Sequence, residues 1–315
     1  HHTALATVSG LDPEFDVREP PAEHPGPGAR TTLRRSPSER TGYVVPVNAT
    51  FFLRPRFIGR VLRAMGFGVS SVNNTTHYTH TFTLANRTAI AWLTAIHKYS
   101  GDTDLERKVI GVRGTQLQLA AGPEELQCTF EGLGLTEGNA TGSETKVAEI
   151  DTLISTKTGS LSFAIAGNTV TSPIRGNQLT IAQELDREDK VLHQSGRADL
   201  PQQSIDLNGT LQGIDIDHND YEIYRRIKRG GMAATAPTLS PVTGALSFTY
   251  ESAGNISGAA VPYRLTVAFP TVEYNIVSPN ASGRDLIRGD VTYAMIDDSA
   301  TPVTITLVND QASYA

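Results

Sequence analysis

Apolar and polar residues alternate along most of the chain, and this pattern predicts a protein made mainly of strands. Between residues 115 and 120, Leu117 and Leu119 alternate with glutamines, and residues 125–133 alternate in the same way. A period of two places apolar side chains on one face of a strand and polar ones on the other. Because a turn at residues 121–124 separates the two segments, they are predicted to form a hairpin. Further strands are predicted at residues 43–53 (interrupted at Pro46), 78–84, 161–165, 178–182, 204–212, 245–250, 263–269, 291–296 and 303–308.

Two segments have the period of an amphipathic helix. The first begins at Pro55, which suits the first position of a helix, and is predicted to end in a left-handed cap at Gly66. Its apolar positions are Phe57, Ile58, Val61, Leu62 and Met65. The second is predicted to follow a cap at Asn219 or Asp220 and to end at Gly230 and Gly231. Its apolar positions are Ile223, Tyr224 and Ile227.

Residues 89–99 fit either a short helix or a buried strand, and the spacing of their apolar residues favours the helix. Residues 134–160 are rich in Gly, Thr and Ser and have no clear period, so a loop or linker is predicted there. A second loop is predicted at residues 230–244.

The order of the predicted elements suggests an internal duplication. A helix, a strand, a gap and paired strands occur twice, and the two helix centres, near Arg60 and Ile223, are 163 positions apart. We therefore divide the chain into an extended N-terminal arm (residues 1–42), a first domain (43–150) and a second domain (151–315), whose strands can interleave. The alternative is a chance agreement among short elements.

Composition and charge exclude several classes of protein. The chain has 27 Lys and Arg against 33 Asp and Glu, for a formal net charge of −6. A protein that grips nucleic acid through its phosphates would instead be basic. The single cysteine, Cys128, excludes an intramolecular disulfide framework and a cysteine-based zinc site within one chain. No membrane span or secretory signal is apparent, so we expect a protein made in the cytoplasm.

No enzyme signature is present. The glycine-rich nucleotide-binding motifs, the zinc-protease motif and the motif of a nucleophilic serine are all absent. Residues 215–226 resemble the start of a calcium loop, but Asp220 stands where glycine is needed and Arg226 where glutamate is needed. We therefore expect no catalytic residues, no metal ligands and no cofactor.

Four groups of segments together resemble the tail tube (major tail) proteins of long-tailed bacteriophages. They are residues 52–55 leading into 58–66, residues 80–82, residues 111–119 followed by 126–132, and residues 178–181 followed by 206–211. The resemblance covers roughly residues 43–310. It implies a mainly β fold of duplicated tail-tube β-sandwich or barrel domains, each with a flanking α-helix. It also implies a structural protein of a long noncontractile tail, made in the host cytoplasm and located in the virion.

In that family, rings of six tube domains stack into a tube through which genomic DNA passes without specific binding. Chains with two fused tube domains form trimeric rings, so we expect a trimer, with a hexamer as the alternative. The other expected partners are the tape measure protein, the tail terminator and the tail tip proteins. A barrel of about 24 strands, at ~4.8 Å spacing and ~40° tilt, has a backbone diameter of roughly 48 Å, wide enough for duplex DNA.

Given this resemblance, the polar faces of the predicted strands are candidates for the channel wall. A wall of neutral and acidic side chains would let DNA slide, whereas Lys and Arg would hold its phosphates. The candidate channel-lining residues are Gln116, Gln118, Gln127, Thr129, Glu131, Thr180, Asp206, Asn208, Thr210 and Gln212. The alternative is an ordinary solvent-facing sheet surface.

We expect the segments that lack a clear helix or strand pattern to make the contacts between subunits. The candidates are the arm and the loops at residues 134–160 and 230–244. Within the arm, Arg30, Arg34, Arg35 and Arg40 are candidates for contacts with a neighbouring subunit; an unstructured terminus is the alternative.

Other functions fit parts of the pattern. One is another virion tail protein, such as a tail terminator, a baseplate hub or the tube of a contractile tail. Another is a β-sandwich carbohydrate-binding module, which the single Trp and the aromatic content of 7% disfavour. A β-rich hydrolase is a third, although no carboxylate pair can be singled out.

Overall fold

The computed structural model describes residues 7–9, 14–18, 39–84, 90–99, 105–122, 126–139, 153–187, 199–216, 218–276, 287–296 and 303–314. The protein is mainly β, with antiparallel pairing throughout the described strands. The strands are β1 (Thr7–Ser9), β2 (Glu14–Arg18), β3 (Glu39–Phe52), β4 (Phe67–Asn73), β5 (Tyr78–Leu84), β6 (Leu93–Tyr99), β7 (Leu105–Ala121), β8 (Leu126–Gly134), β9 (Thr136–Asn139), β10 (Ile154–Ile165), β11 (Asn168–Val170), β12 (Gly176–Leu185), β13 (Gln202–Asp215), β14 (Val242–Asn255), β15 (Pro262–Ile276), β16 (Arg288–Met295) and β17 (Thr304–Asn309). The helices are α1 (Pro55–Ala64) and α2 (His218–Arg229).

The strands form two layers. The first layer runs in the order β3–β8–β7–β12–β13–β16–β15. The second layer runs in the order β10–β14–β15–β17–β5–β4, so β15 belongs to both layers. The register of β15 with β14 shifts between the Phe269 and Val272 pairs, next to Pro270, where the strand passes from one layer to the other.

The apolar faces of the two layers meet in one main core. Leu117 and Leu179 of the first layer and Phe248 and Val267 of the second are at most 1% exposed and belong to the same buried cluster. A polar contact also joins the layers, since the Asn177 side chain on β12 donates a 3.1 Å hydrogen bond to the Tyr250 hydroxyl on β14. The predicted hairpin of β7 and β8 is confirmed, with Ala121 opposite Leu126.

The N-terminal half of β7 leaves the first layer and forms a separate three-stranded ribbon with β6 and β9. A register shift between Gly114 and Gln116 marks the point of departure. Arg113 fixes the base of the ribbon: its guanidinium lies 3.8 Å from the Trp92 ring centroid and 3.0 Å from an Asp199 carboxylate oxygen. Arg113 also donates to the Leu200 carbonyl. The ribbon is therefore tied to the segment that precedes β13.

Both helices pack through the apolar positions predicted for them. In α1, Ile58, Val61, Leu62 and Met65 are buried, while Phe57 is half-buried against the core. Gly66 has φ +86°, as the predicted left-handed cap requires. In α2, Ile223 and Ile227 are buried, and the helix ends where the Gly230 N–H donates to the Arg226 carbonyl at 2.9 Å. No helix among the described residues is long and apolar enough to cross a membrane.

The segment after β17 closes over α1. The Tyr314 ring lies on Gly59, where a Cβ would come within 2.5 Å of it. The Tyr314 hydroxyl donates to the Pro55 carbonyl at 3.1 Å. Beneath it, His80 is fully buried, with Nε2 at 2.8 Å from the Gln311 carbonyl oxygen. Glycine at position 59 is therefore needed for the close approach of the two segments.

Several sequence predictions are wrong. β3 is not interrupted at Pro46, which pairs with Leu133 of β8 on one side. On its outer side, β3 pairs with β2 as far as Val44 and with β1 only from Asn48, so Pro46 lies between these two pairings. A proline without an N–H is tolerated at such an edge. Residues 93–99 are strand β6 and not helix, because pairing with β7 outweighs a short stretch of helical spacing.

The loop predicted at residues 134–160 contains β9 and the start of β10, and residues 140–152 lie outside the described residues. Residues 157–160 of β10 are exposed throughout, so the strand has no alternation there to reveal it. β4 was missed for the same reason, since its burial ends after three residues. Asn219 and Asp220 do not cap α2, because the helix begins at His218; the Asn219 amide instead donates to Glu222 at 2.6 Å.

The N-terminal arm is not wholly loop-like, because β1 and β2 pair with the outer edge of β3. Arg30, Arg34 and Arg35 lie outside the described residues. Arg40 is in β3, with its backbone opposite Val17. The duplication into two domains stays a prediction. In each layer the strands of the two segments meet at one pair, β7–β12 in the first layer and β5–β17 in the second.

The burial of His80 predicts a loss of stability in acid. Burial lowers the pKa of His80 below its usual 6.5, so the unfolded chain takes up the proton first as the pH falls. The contribution of neutral His80 to the free energy of unfolding is therefore fully present above about pH 6.5. It is lost as the pH falls toward the lower pKa that His80 has in the folded state. We expect urea denaturation to show a lower midpoint at acidic than at neutral pH. The variant His80→Gln should show a smaller difference, and an unchanged difference would contradict this role.

The contact between Tyr314 and Gly59 predicts a sharp requirement for glycine. Gly59→Ala forces the Tyr314 ring or α1 to move, and overpacking of this kind costs about 1–3 kcal/mol. Gly138→Ala is the matched control, because a Cβ there meets nothing within 4 Å. Thermal unfolding of the two variants should differ clearly, and equal melting temperatures would show that the contact is not tight.

Candidate functional site

The register of the first layer brings all ten candidate channel-lining residues onto one face of four adjacent strands. The central row runs Thr129, Gln118, Thr180, Asn208, from β8 through β7 and β12 to β13. The other members lie in the rows above and below: Gln127, Thr210 and Gln212 on one side, and Glu131, Gln116 and Asp206 on the other. Every member is exposed or half-buried. We call the outer face of the first layer the polar face.

The opposite side of the same strands is buried and mainly apolar, with Asn177 and Gln183 of β12 as its buried polar members. Leu117, Leu179 and Leu207 lie between the polar-face positions in sequence and are at most 3% exposed. Cys128 is also on this side; it is fully buried, and burial raises the pKa of its thiol far above the usual value. The thiol is therefore a core group with no thiolate to offer for chemistry.

The polar face is wider than the sequence predicted. It continues through β3 on one side and through β16 and β15 on the other, giving seven adjacent strands. The missed residues are Asn48, Thr50 and Phe52 on β3, Thr292 and Ala294 on β16, and Glu273 and Asn275 on β15. The missed residues on β3 and β16 alternate in sequence with buried apolar residues, and this alternation is the signal that could have revealed them. The buried residues are Val47, Ala49, Phe51, Val291 and Tyr293.

The charge of this face is weak and negative. Glu131, Asp206 and Glu273 are the exposed carboxylates of these rows, whose remaining described positions are amides, hydroxyls, alanines, a glycine and Phe52. Beyond these rows the same face carries exposed Glu184 and Asp290, and Arg288, whose Nε lies 3.4 Å from an Asp215 oxygen. Among the described residues of these rows there is no Lys or Arg. Lys228 reaches the margin from α2, where its Nζ donates to the Asn275 side chain at 3.3 Å. The face therefore repels phosphate and offers hydrogen-bonding groups without a strong charge.

Side chains on the polar face make few bonds to one another. The Gln212 amide donates to Gln178 at 3.5 Å, and the Ser204 hydroxyl donates to Glu184 at 3.2 Å. Within the described ranges, no three His, Cys, Asp or Glu residues are grouped so that they could hold a metal ion. Among the described residues, the polar face is an extended surface of largely separate side chains.

The outer face of the second layer is different in chemistry. One row of hydroxyl side chains crosses all six of its strands, in the order Ser160, Thr249, Thr266, Thr306, Thr81 and Ser70. The Thr249 and Thr266 hydroxyl oxygens are 3.0 Å apart. At the margin, Arg264 is paired with Glu251 at 2.6 Å. This hydroxyl row is neutral, so the exposed carboxylates distinguish the polar face from it.

No protein-family model matches the chain, and no curated protein matches it. An assignment of function therefore depends on the sequence pattern and on the geometry of the polar face.

The polar face is predicted to have no structural role of its own. Gln127→Ala and Asn208→Ala remove exposed side chains that pack against nothing in the core, so each should change the free energy of unfolding by less than about 0.5 kcal/mol. Leu179→Ala, on the reverse side of β12, should cost about 2–5 kcal/mol. Urea denaturation measures all three. A large loss in either polar-face variant would show that the face is part of the folding core.

Proposed function

We propose that the chain is a structural subunit of a bacteriophage tail tube, a virion protein without catalytic activity whose rings stack around a DNA channel. The observation that carries the proposal is the polar face, which extends over seven adjacent strands. Its rows through Gln127, Thr129 and Glu131 hold three exposed carboxylates and, among the described residues, no Lys or Arg. The resemblance of residues 43–310 to the tail tube proteins supports it independently.

The chemistry of the polar face suits a wall past which DNA must slide. Each Lys or Arg that contacts a phosphate releases counterions and adds affinity, which would slow the movement of DNA along the channel. Amides and hydroxyls form bonds that water replaces readily, and Glu131, Asp206 and Glu273 repel phosphates. The reverse side of the strands is buried, so the face can line a channel without loss of the core.

The width of the polar face favours three chains in a ring. Twenty-one strands, seven from each of three chains, at ~4.8 Å spacing and ~40° tilt would give a backbone diameter of roughly 42 Å. After about 10 Å is allowed for side chains, duplex DNA still fits. Six chains would double the diameter to roughly 84 Å, which is far wider than a duplex requires, so the trimer stays the favoured ring and the hexamer the alternative.

The position of two hairpins supports the two-domain form of the proposal. The β7–β8 hairpin comes from residues 43–150 and the β12–β13 hairpin from residues 151–315, and the two lie side by side through the β7–β12 pair. In the proposal, each segment supplies one tube domain with one flanking helix, α1 or α2. Three such chains would give a ring with pseudo-sixfold symmetry.

Assembly in this proposal involves the ends of the ring and several other proteins. The arm (residues 1–42) and the segment at residues 230–241, which lies between α2 and β14, are the proposed contacts between copies. A tape measure protein, a tail terminator and tail tip proteins would set the length and the ends of a noncontractile tail. Genomic DNA would pass through the lumen without specific binding.

The first test is negative-stain electron microscopy of the purified protein at high concentration. We expect hollow rings or tubes with a central channel, because each chain would contribute a strip of channel wall that is complete only in a ring. End-view class averages with threefold character would support the trimer and the two-domain form. Closed dimers that never form rings, at any concentration or in the presence of tube ends, would contradict the proposal.

A gold-labelling experiment tests which face lines the channel. Asn208→Cys places a thiol on the polar face, and Ser70→Cys places the matched thiol at the exposed end of the hydroxyl row. The native Cys128 does not interfere, because it is fully buried. Maleimide–gold should appear on the tube axis for Asn208→Cys and on the outer circumference for Ser70→Cys. The reverse pattern would exclude the polar face as the channel wall.

A further inference from the structure

The outer edge of β4 is an open strand edge. β4 pairs with β5 over its whole length without a register shift, and it pairs with no other described strand. Its last four residues, 70–73, are exposed. A strand in this position presents unpaired backbone N–H and C=O groups, to which another extended chain can bind. The edge of β4 is therefore a surface on which a further strand can be added.

The outer edges of β3 and β10 are covered or interrupted, and that of β4 is not. β1 and β2 pair along the outer side of β3. β11 covers one end of β10, and the rest of β10 has a register shift between Ser155 and Gly159 and an exposed Lys157. Covering strands, bulges and lysines are devices that prevent pairing between sheet edges. β4 contains no Lys, no Pro and no register shift.

The hydrogen-bond pattern shows which backbone groups β4 presents. Where β4 and β5 turn, the Asn74 N–H donates to the His77 carbonyl at 2.9 Å. Bonded and non-bonded pairs alternate along two antiparallel strands, and the register between this turn and Phe67 is unbroken. The N–H and C=O groups of Phe67, Val69 and Ser71 are therefore directed away from β5. These are the groups that an added strand would bind.

Arg63 of α1 lies at the start of this edge. Its Nη1 donates to the Phe67 carbonyl at 3.2 Å, which is one of the carbonyls directed away from β5. Arg60 stands three residues earlier and therefore lies on the same side of the helix. Both arginines are half-buried. An extended chain that pairs with β4 would thus meet one guanidinium at the end of the edge and a second about one helical turn further on.

The segment that contains this edge is cationic. Residues 40–101 contain six Arg, one Lys and no Asp or Glu, whereas the rest of the chain has 20 Lys and Arg against 33 Asp and Glu. The segment includes α1, β4, β5 and β6. Asp310, from the segment after β17, pairs with Arg56 of α1. A partner at the edge of β4 would therefore meet a positive surface on a chain that is acidic elsewhere, which favours an acidic partner.

We propose that the outer edge of β4 binds an acidic segment of a partner protein in extended conformation, as an added strand whose carboxylates face Arg60 and Arg63. Backbone bonds to Val69 and Ser71 supply the affinity, and the arginines select acidic chains. A second copy paired through the same edge would bring two cationic surfaces together, which disfavours it. The site belongs to the second layer and not to the polar face, so it does not rest on the tail tube proposal.

The test is fluorescence anisotropy of the full chain with a fluorescein-labelled peptide of eight residues in which threonine and glutamate alternate. One matched peptide has lysine in place of glutamate, and another has proline in place of the two central threonines, so that it cannot pair as a strand. We expect saturable binding of the acidic peptide that weakens as salt is added. The lysine and proline peptides should show no saturable binding. Because these controls use the native chain, they do not depend on how any variant folds.

A matched pair of variants tests the role of the arginines. Arg60→Gln combined with Arg63→Gln should weaken binding of the acidic peptide about 3- to 10-fold, since two exposed charge pairs are lost. Arg229→Gln removes a half-buried arginine from α2 and should leave the affinity unchanged. Equal affinity in the double variant and in the native chain would contradict the selection of acidic chains by α1.

Hydrogen exchange measured by mass spectrometry tests whether the peptide binds at the edge. The amides of residues 67–73 should exchange more slowly when the acidic peptide is bound, and those of β10 should not change. No saturable binding of the acidic peptide, equal binding of the proline peptide, or unchanged exchange in residues 67–73 overturns the proposal. Slower exchange in these residues on raising the protein concentration alone would assign the edge to a second copy and would overturn it as well.

Discussion

The register between adjacent strands is the constraint on which the structure depends. In the central row of the first layer, Thr129, Gln118, Thr180 and Asn208 stand opposite one another across four strands. A slip of one residue in any strand would turn its leucines outward and its amides into the core. The burial of residues such as Leu179 and Leu207 therefore fixes the polar face as firmly as it fixes the core.

Strands with a clear alternation could be predicted from the sequence, and those without it could not. β7, β8, β12 and β13 bury most of one side in the first layer, so their period of two is visible in single residues. β6 and β9 belong to a ribbon outside the two layers, where pairing with β7 determines the structure and burial leaves little pattern. For that reason the sequence pattern leaves a helix and a strand both open for residues 89–99, with the helix favoured, and predicts a loop or linker at residues 134–160.

The candidate site was predicted in part for the same reason. Alternation within a strand shows which residues share a face, so the ten positions were placed correctly relative to their own strands. It does not show which strands are neighbours: the pairing of β12 with β7, more than fifty residues apart, appears only in the structure.

The length of β7 has a mechanical consequence. Its 17 residues pair with β6 and β9 in the ribbon and with β8 and β12 in the first layer, so one continuous backbone joins Ile110 to Gln118. A force directed along the ribbon would act parallel to β7 and would load its backbone hydrogen bonds in shear. In that geometry many bonds must break together, whereas a force across the strand would break them one at a time. Arg113, bound to Leu200 and Asp199, would carry part of that load into the segment before β13. Force applied at the ribbon would therefore reach the polar face along β7, through the register shift between Gly114 and Gln116.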